Sequence, residues 1–95
     1  MTVAFARHIE SGPERAVYAL CEAGDYDAAA TRLIEAYAAE IMRFLGSRCR
    51  NAADANEVFS SFCEDVWRGL ASFAWRCTAR GWAYTLARHA ERRFA

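Results

Sequence analysis

Lysine is missing altogether: all twelve basic residues of this 95-residue chain are arginine. That usage reads first as the habit of a GC-rich genome and only second as chemistry. One proline and five glycines leave little material for the tight turns of a β-sandwich or barrel. The four cysteines, Cys21, Cys49, Cys63 and Cys77, include no C-x-x-C pair. With only His8 and His89 to help, no metal-ligand spacing is present, and no metal or other cofactor is expected. No apolar run approaches the ~18 residues of a transmembrane helix, and no leader peptide is recognisable. A reducing cytoplasm is the expected compartment, with the cysteines acting as small core hydrophobes or, as the alternative, a redox switch. A nucleophile–base pair, a glycine-rich phosphate loop and a catalytic carboxylate pair are all missing, so the chain is not read as an enzyme. Glu64 and Asp65 are adjacent and point to different faces of a helix, so they make no such pair.

What is present is apolar and helical. Hydrophobic residues make up 55% of the chain, enough for one compact domain. The zero net charge hides a polarity. Residues 1–75 carry seven arginines against eleven acids, and residues 76–95 carry five arginines against one acid. An acidic body with a basic end implies two faces with two different partners.

Residues 1–10 show no organisation and are expected to fray, so the domain is placed at 11–95. Ser11-Gly12-Pro13-Glu14 reads as a helix start, with serine as the cap and Glu14 at the capping-box position. That first helix carries Val17, Leu20 and Cys21 inward and stops at Gly24. Asp25 to about Leu45 predicts a longer helix with Leu33, Ala36, Tyr37, Ile41, Phe44 and Leu45 at three-and-four spacing, stopped by Gly46-Ser47. After a polar joint, Asp54 to Leu70 predicts a third helix. Its apolar stripe of Ala55, Val58, Phe59, Phe62, Val66, Trp67 and Leu70 is wide enough for a central position. A loop holding Phe73 and Trp75 follows, then a last helix capped by Thr78, with Trp82, Leu86, Ala90 and Phe94 on its apolar face. The expectation is an all-α bundle of three main helices and a short leading one.

The last helix interleaves arginine with aromatic residues. Arginine meets phosphate in a bidentate fork, and an aromatic ring can stack on an unpaired base. Composition leaves a solvated basic helix as an equal reading. Order along the chain separates the two. The string DANEVFSSFCEDVWRGL (Asp54–Leu70), a loop with Phe73 and Trp75, and RGWAYTLARHAERR (Arg80–Arg93) resemble region 2 of bacterial sigma factors. The likeness is to the extracytoplasmic-function group, whose members read D-A-x-D-x-x-Q-E-V-F-x-x-A-W-x-x-L, a loop, and T-W-L-Y-x-I-A-R-N. The stretch AGDYDAAATRLIEAY (Ala23–Tyr37) resembles the same group's opening.

The resemblance implies a non-enzymatic transcription-initiation domain. One surface docks on the clamp of the RNA polymerase largest subunit. The other reads and opens the promoter's minus-ten element and holds the non-template single strand, with a base turned into a pocket beside the loop. Carried over by position, the polymerase contacts are Asp54, Glu57, Ser60, Ser61 and Glu64, although an acidic solvated face is an equally plain reading of that stretch. Ser60-Ser61 is read as the place of the group's Gln-Glu pair. The DNA contacts are Trp75, Arg76, Arg80, Tyr84, Arg88, His89, Arg92 and Arg93, with His89 in place of the family's asparagine. Trp75 either packs under the loop or lines the pocket. The spacing of Trp82 is that of a buried stripe, whereas Tyr84 lies off it. The group normally carries a second, promoter-reading domain, to which nothing in this chain corresponds. The alternative is an interaction or regulatory protein on the same scaffold, partnered by an anti-sigma factor or signalling protein, with DNA binding lost. An adaptor of that kind would have no reason to keep the arginines of the last helix facing solvent.

Overall fold

Glycine at a left-handed position sets the first boundary. Gly24 adopts φ +76°, a conformation in which only glycine avoids a Cβ clash, and it turns the chain between two helices. The computed structural model describes residues 12–94, which form four α-helices with no strand among them. They are α1 (Gly12–Glu22), α2 (Tyr26–Arg48), α3 (Ala52–Gly69) and α4 (Ala79–Phe94), with a 3-10 turn at Leu70–Ser72. The all-α expectation is met, with one short helix before three main ones. The first ten residues and the capping role of Ser11 lie outside the described residues.

The end of α1 is closed by amides of Gly24 and Asp25, which donate to the carbonyls of Cys21 and Leu20 at 3.0 and 2.9 Å. Asp25 then caps α2, accepting from the Ala28 amide at 3.2 Å. The stop expected at Gly46-Ser47 does not occur. The helix runs through both residues to Arg48, and the Cys49 amide still donates to the Leu45 carbonyl. Gly46 is exposed with open space around it, so its cost is helix propensity alone, about 1 kcal/mol, which the packing of Ile41 and Leu45 outweighs. The joint shrinks to three residues, and the side chain of Asn51 caps α3 by accepting from the Asp54 amide at 2.8 Å.

The core is a single cluster with Leu33, Ile41, Leu45, Val58, Phe62 and Val66 at its centre, all fully buried. The central element is α2 rather than α3, because α2 packs against all three other helices. The stripe of α3 is also narrower than its sequence predicts. Ala55, Val58, Phe62, Val66 and Leu70 are buried, whereas Phe59 is half-buried and Trp67 stands 44% exposed.

The face of α4 differs most. Its buried residues are Ala79, Ala83, Ala87 and Ala90. Trp82 and Leu86 flank this stripe, and Phe94 is exposed. A row of methyl groups lets α4 lie close against α2 and α3, leaving the larger side chains to fill its edges. A Cβ built on Gly69 would stand 3.0 Å from Trp82, so that glycine is what admits the indole at the α3 edge.

Candidate nucleic-acid interface

The candidate residues lie on the segment after the 3-10 turn and on the outward faces of α4. Three aromatic side chains fix that segment from beneath. Phe73 stacks on Trp82 with ring centroids 4.7 Å apart and planes 17° from parallel, and it also contacts Trp75 at 4.7 Å. Trp75 meets Tyr18 of α1 edge-on at 5.2 Å. Trp75 adopts φ +58°, a strained conformation for a bulky residue, and is only 6% exposed. Of its two readings, the structure therefore realises packing under the loop.

Four amides open α4, and each has an acceptor. The Ala79 and Arg80 amides donate to the Glu14 carboxylate at 2.7 and 3.0 Å. The Gly81 amide donates to Thr78 Oγ1 at 2.9 Å, and the Trp82 amide to the Thr78 carbonyl at 3.0 Å. Thr78 thus caps as its sequence position predicts. Glu14 reaches across to α4 and accepts the Tyr37 hydroxyl as well; its capping-box pairing with Ser11 lies outside the described residues. Burial, then the bond to Glu14, raises the Tyr37 hydroxyl pKa above the ordinary tyrosine value.

Along the seam between α2 and α4 runs a second network, which sequence reading missed. Glu40 accepts from Arg80 Nε at 2.8 Å and Nη2 at 2.7 Å, and from the Tyr84 hydroxyl at 2.8 Å. The Arg80 guanidinium lies 5.4 Å above the Tyr84 ring, and that ring meets Phe44 edge-on at 5.2 Å. The bond from Arg80 is the main cause that lowers the Glu40 carboxyl pKa, with Tyr84 adding to it against the opposing effect of burial. The same bond to Glu40 raises the Tyr84 hydroxyl pKa.

The candidate arginines divide accordingly. Arg80 is tied to Glu40, and Arg93 to Asp65 at 2.6 Å. Arg76, Arg88 and Arg92 are exposed and carry no ion pair among the described residues. Arg88 and Arg92 stand one turn apart on the outward face of α4, with exposed His89 beside them. Tyr84 is half-buried with its hydroxyl and ring both engaged, so stacking on a base would require the Glu40 network to open. No sequence signal marks Glu40 or Asp65 as partners, because each lies in a different helix from its arginine.

The second set of candidates lies on α3. Glu57, Ser60 and Glu64 are exposed on one outward face, and Trp67 joins them there. Ser61 and Asp54 are half-buried at its edge. Asp54 lines an open pocket of about 360 Å³ with Arg48, Cys49, Arg50, Glu91 and Phe94, where Arg48 pairs with Glu91 at 2.6 Å. Ser60 and Ser61 sit in the middle of α3, two turns before Trp67.

The cysteines are all free; Cys21, Cys49 and Cys63 pack against the core as expected, and burial raises their thiol pKa values. Cys77, contrary to that expectation, is exposed. No group of metal-ligating side chains occurs among the described residues, and no helix there is long and apolar enough to cross a membrane.

No curated protein and no solved structure matches the chain. Residues 33–95, two-thirds of the sequence, match the family described as Sigma-70 region 2. That span runs from the middle of α2 through α3 and the loop to the end of α4, and so contains every candidate contact residue named above. The chain belongs to the Sigma-70 region 2 family.

Proposed function

We propose that this domain docks on the clamp of core RNA polymerase through α3 and holds the unpaired non-template strand of the promoter's minus-ten element on α4, as a sigma factor of the extracytoplasmic-function group. Sigma-70 region 2 is a part of sigma factors and serves transcription initiation. The observation that carries the finer reading is the outward pair Arg88 and Arg92, which carry no ion pair among the described residues, on a helix whose other charges are neutralised within the domain. A purely structural helix would gain by pairing these two as well. Arg76 on the preceding loop adds a further exposed cation, and His89 beside the pair supplies a hydrogen-bonding ring toward a base. A place in the cytoplasm accompanies this role.

The docking face is Glu57, Ser60 and Glu64 with Trp67 as its apolar anchor. An exposed tryptophan rimmed by charge is the usual composition of a binding hot spot. The adaptor reading, with DNA binding lost, finds no support in arginines that remain free and outward.

The test of the DNA half is a titration with single-stranded promoter oligonucleotide at several salt concentrations. Arg88→Ala with Arg92→Ala is expected to weaken binding and to flatten the salt dependence by about 1.4 in the log–log slope, at about 0.7 for each phosphate no longer neutralised. An unchanged slope contradicts the reading.

A further inference from the structure

We propose that Glu14 of α1 is a positioning residue for the DNA-facing surface: its carboxylate fixes the first turn of α4 and thereby sets where Arg76, Arg80, Arg88 and Arg92 stand. The inference rests on the DNA reading above and adds a residue outside the family-matched span of 33–95.

Three donors from two other helices converge on this one side chain: the Ala79 and Arg80 amides and the Tyr37 hydroxyl. Ala79 is fully buried with Glu14 in place, so its amide depends on that carboxylate rather than on bulk solvent. A helix start with two orphaned amides frays, and an unmade buried hydrogen bond is costly. Thr78 satisfies the next two amides and cannot reach these. A carboxylate is also the group best suited to the positive end of the helix dipole. Glu14 occupies that end, and so leaves the phosphates to the arginines farther along α4. Tyr37 holds the carboxylate from the side of α2, which joins α1, α2 and α4 at one point. The loop that carries Arg76 and Trp75 ends at this point too, and Trp75 leans on Tyr18 one turn along α1 from Glu14.

The experiment compares the full chain with Glu14→Ala, Glu14→Gln and Leu20→Ala. Leu20 packs against the core from α1 and is not one of the groups that donate to Glu14, so its truncation loosens α1 by a different route. Amide hydrogen exchange is read at Ala79 and Arg80, and affinity is read with a short single-stranded oligodeoxynucleotide. Glu14→Ala is expected to speed exchange at those two amides about tenfold and to weaken DNA binding about fivefold. The salt slope should stay at the parent's value, since no phosphate-binding side chain is removed. Glu14→Gln keeps one acceptor oxygen and should fall between the two; it also stands in if the alanine variant does not fold. Leu20→Ala is expected to lower the melting temperature and keep the parent's affinity. Unchanged exchange at Ala79 and Arg80, an affinity equal to or above the parent's, or equal weakening by Leu20→Ala overturns the proposal. Failure of the parent chain itself to bind the oligonucleotide overturns the DNA reading, whatever the exchange shows.

Discussion

Arg88 and Arg93 are five residues apart on one helix, yet their surroundings assign them different work. Arg93 is held by Asp65, whereas Arg88 is exposed, carries no ion pair among the described residues and donates to the Thr85 hydroxyl at a long 3.4 Å. Single substitutions should therefore separate them: Arg88→Ala weakens single-strand binding more than Arg93→Ala does, when the two are titrated side by side at one salt concentration. Trp67 offers a matching contrast on α3. At 44% exposure its truncation forfeits little packing, so Trp67→Ala should reduce retention on core polymerase while leaving the melting temperature close to the parent's. The neighbouring core residue Phe62 is fully buried, and Phe62→Ala should cost ~3–5 kcal/mol in a denaturant titration.

At the level of the helices, the seam of α4 depends on small residues and on one carboxylate. Gly69→Ala brings a methyl group to 3.0 Å from Trp82, too close unless the indole shifts, and should lower stability by about 1–2 kcal/mol in the same titration. Glu40 gives the seam a pH dependence. Arg80 and Tyr84 hold its pKa below the unfolded value, so the folded state binds this proton less readily. Its stabilising contribution is complete above the ordinary carboxylate range and fades as pH falls through that range toward the folded pKa. Glu40→Gln should flatten the acid limb of a melting-temperature profile measured against pH. An unaltered limb would remove Glu40 from this role. The sequence discloses much of this level and misreads part of it. Turn and cap chemistry is local, so Gly24, Asp25 and Thr78 announce the ends they form. Gly46 misleads because tertiary packing of its neighbours outweighs its own propensity. The face of α4 misleads because large apolar side chains dominate a periodicity count, whereas close helix packing prefers the alanines between them. Glu14 and Glu40 were illegible as α4 partners because the residues they bind lie 65 and 40 positions or more away.

Across the whole molecule the proposed reading assigns the exposed acids and the exposed arginines to two surfaces. Glu57 and Glu64 of α3 are exposed with Trp67, while Arg76 of the loop and Arg88 and Arg92 of α4 are exposed without an ion pair among the described residues. On the proposed reading, two such surfaces let one small domain hold a protein and a nucleic acid together. This division was legible in outline from the uneven distribution of arginine and acid along the chain. Which arginines are free became clear only with the fold, because pairing joins residues from different helices. The most direct test of the two-surface account is retention of the 95-residue chain on purified core RNA polymerase at low and at raised salt. The account predicts retention at low salt, weakened by added salt and lost in a variant combining Glu57→Ala, Glu64→Ala and Trp67→Ala. No retention at low salt, or retention indifferent to those three changes, would contradict it.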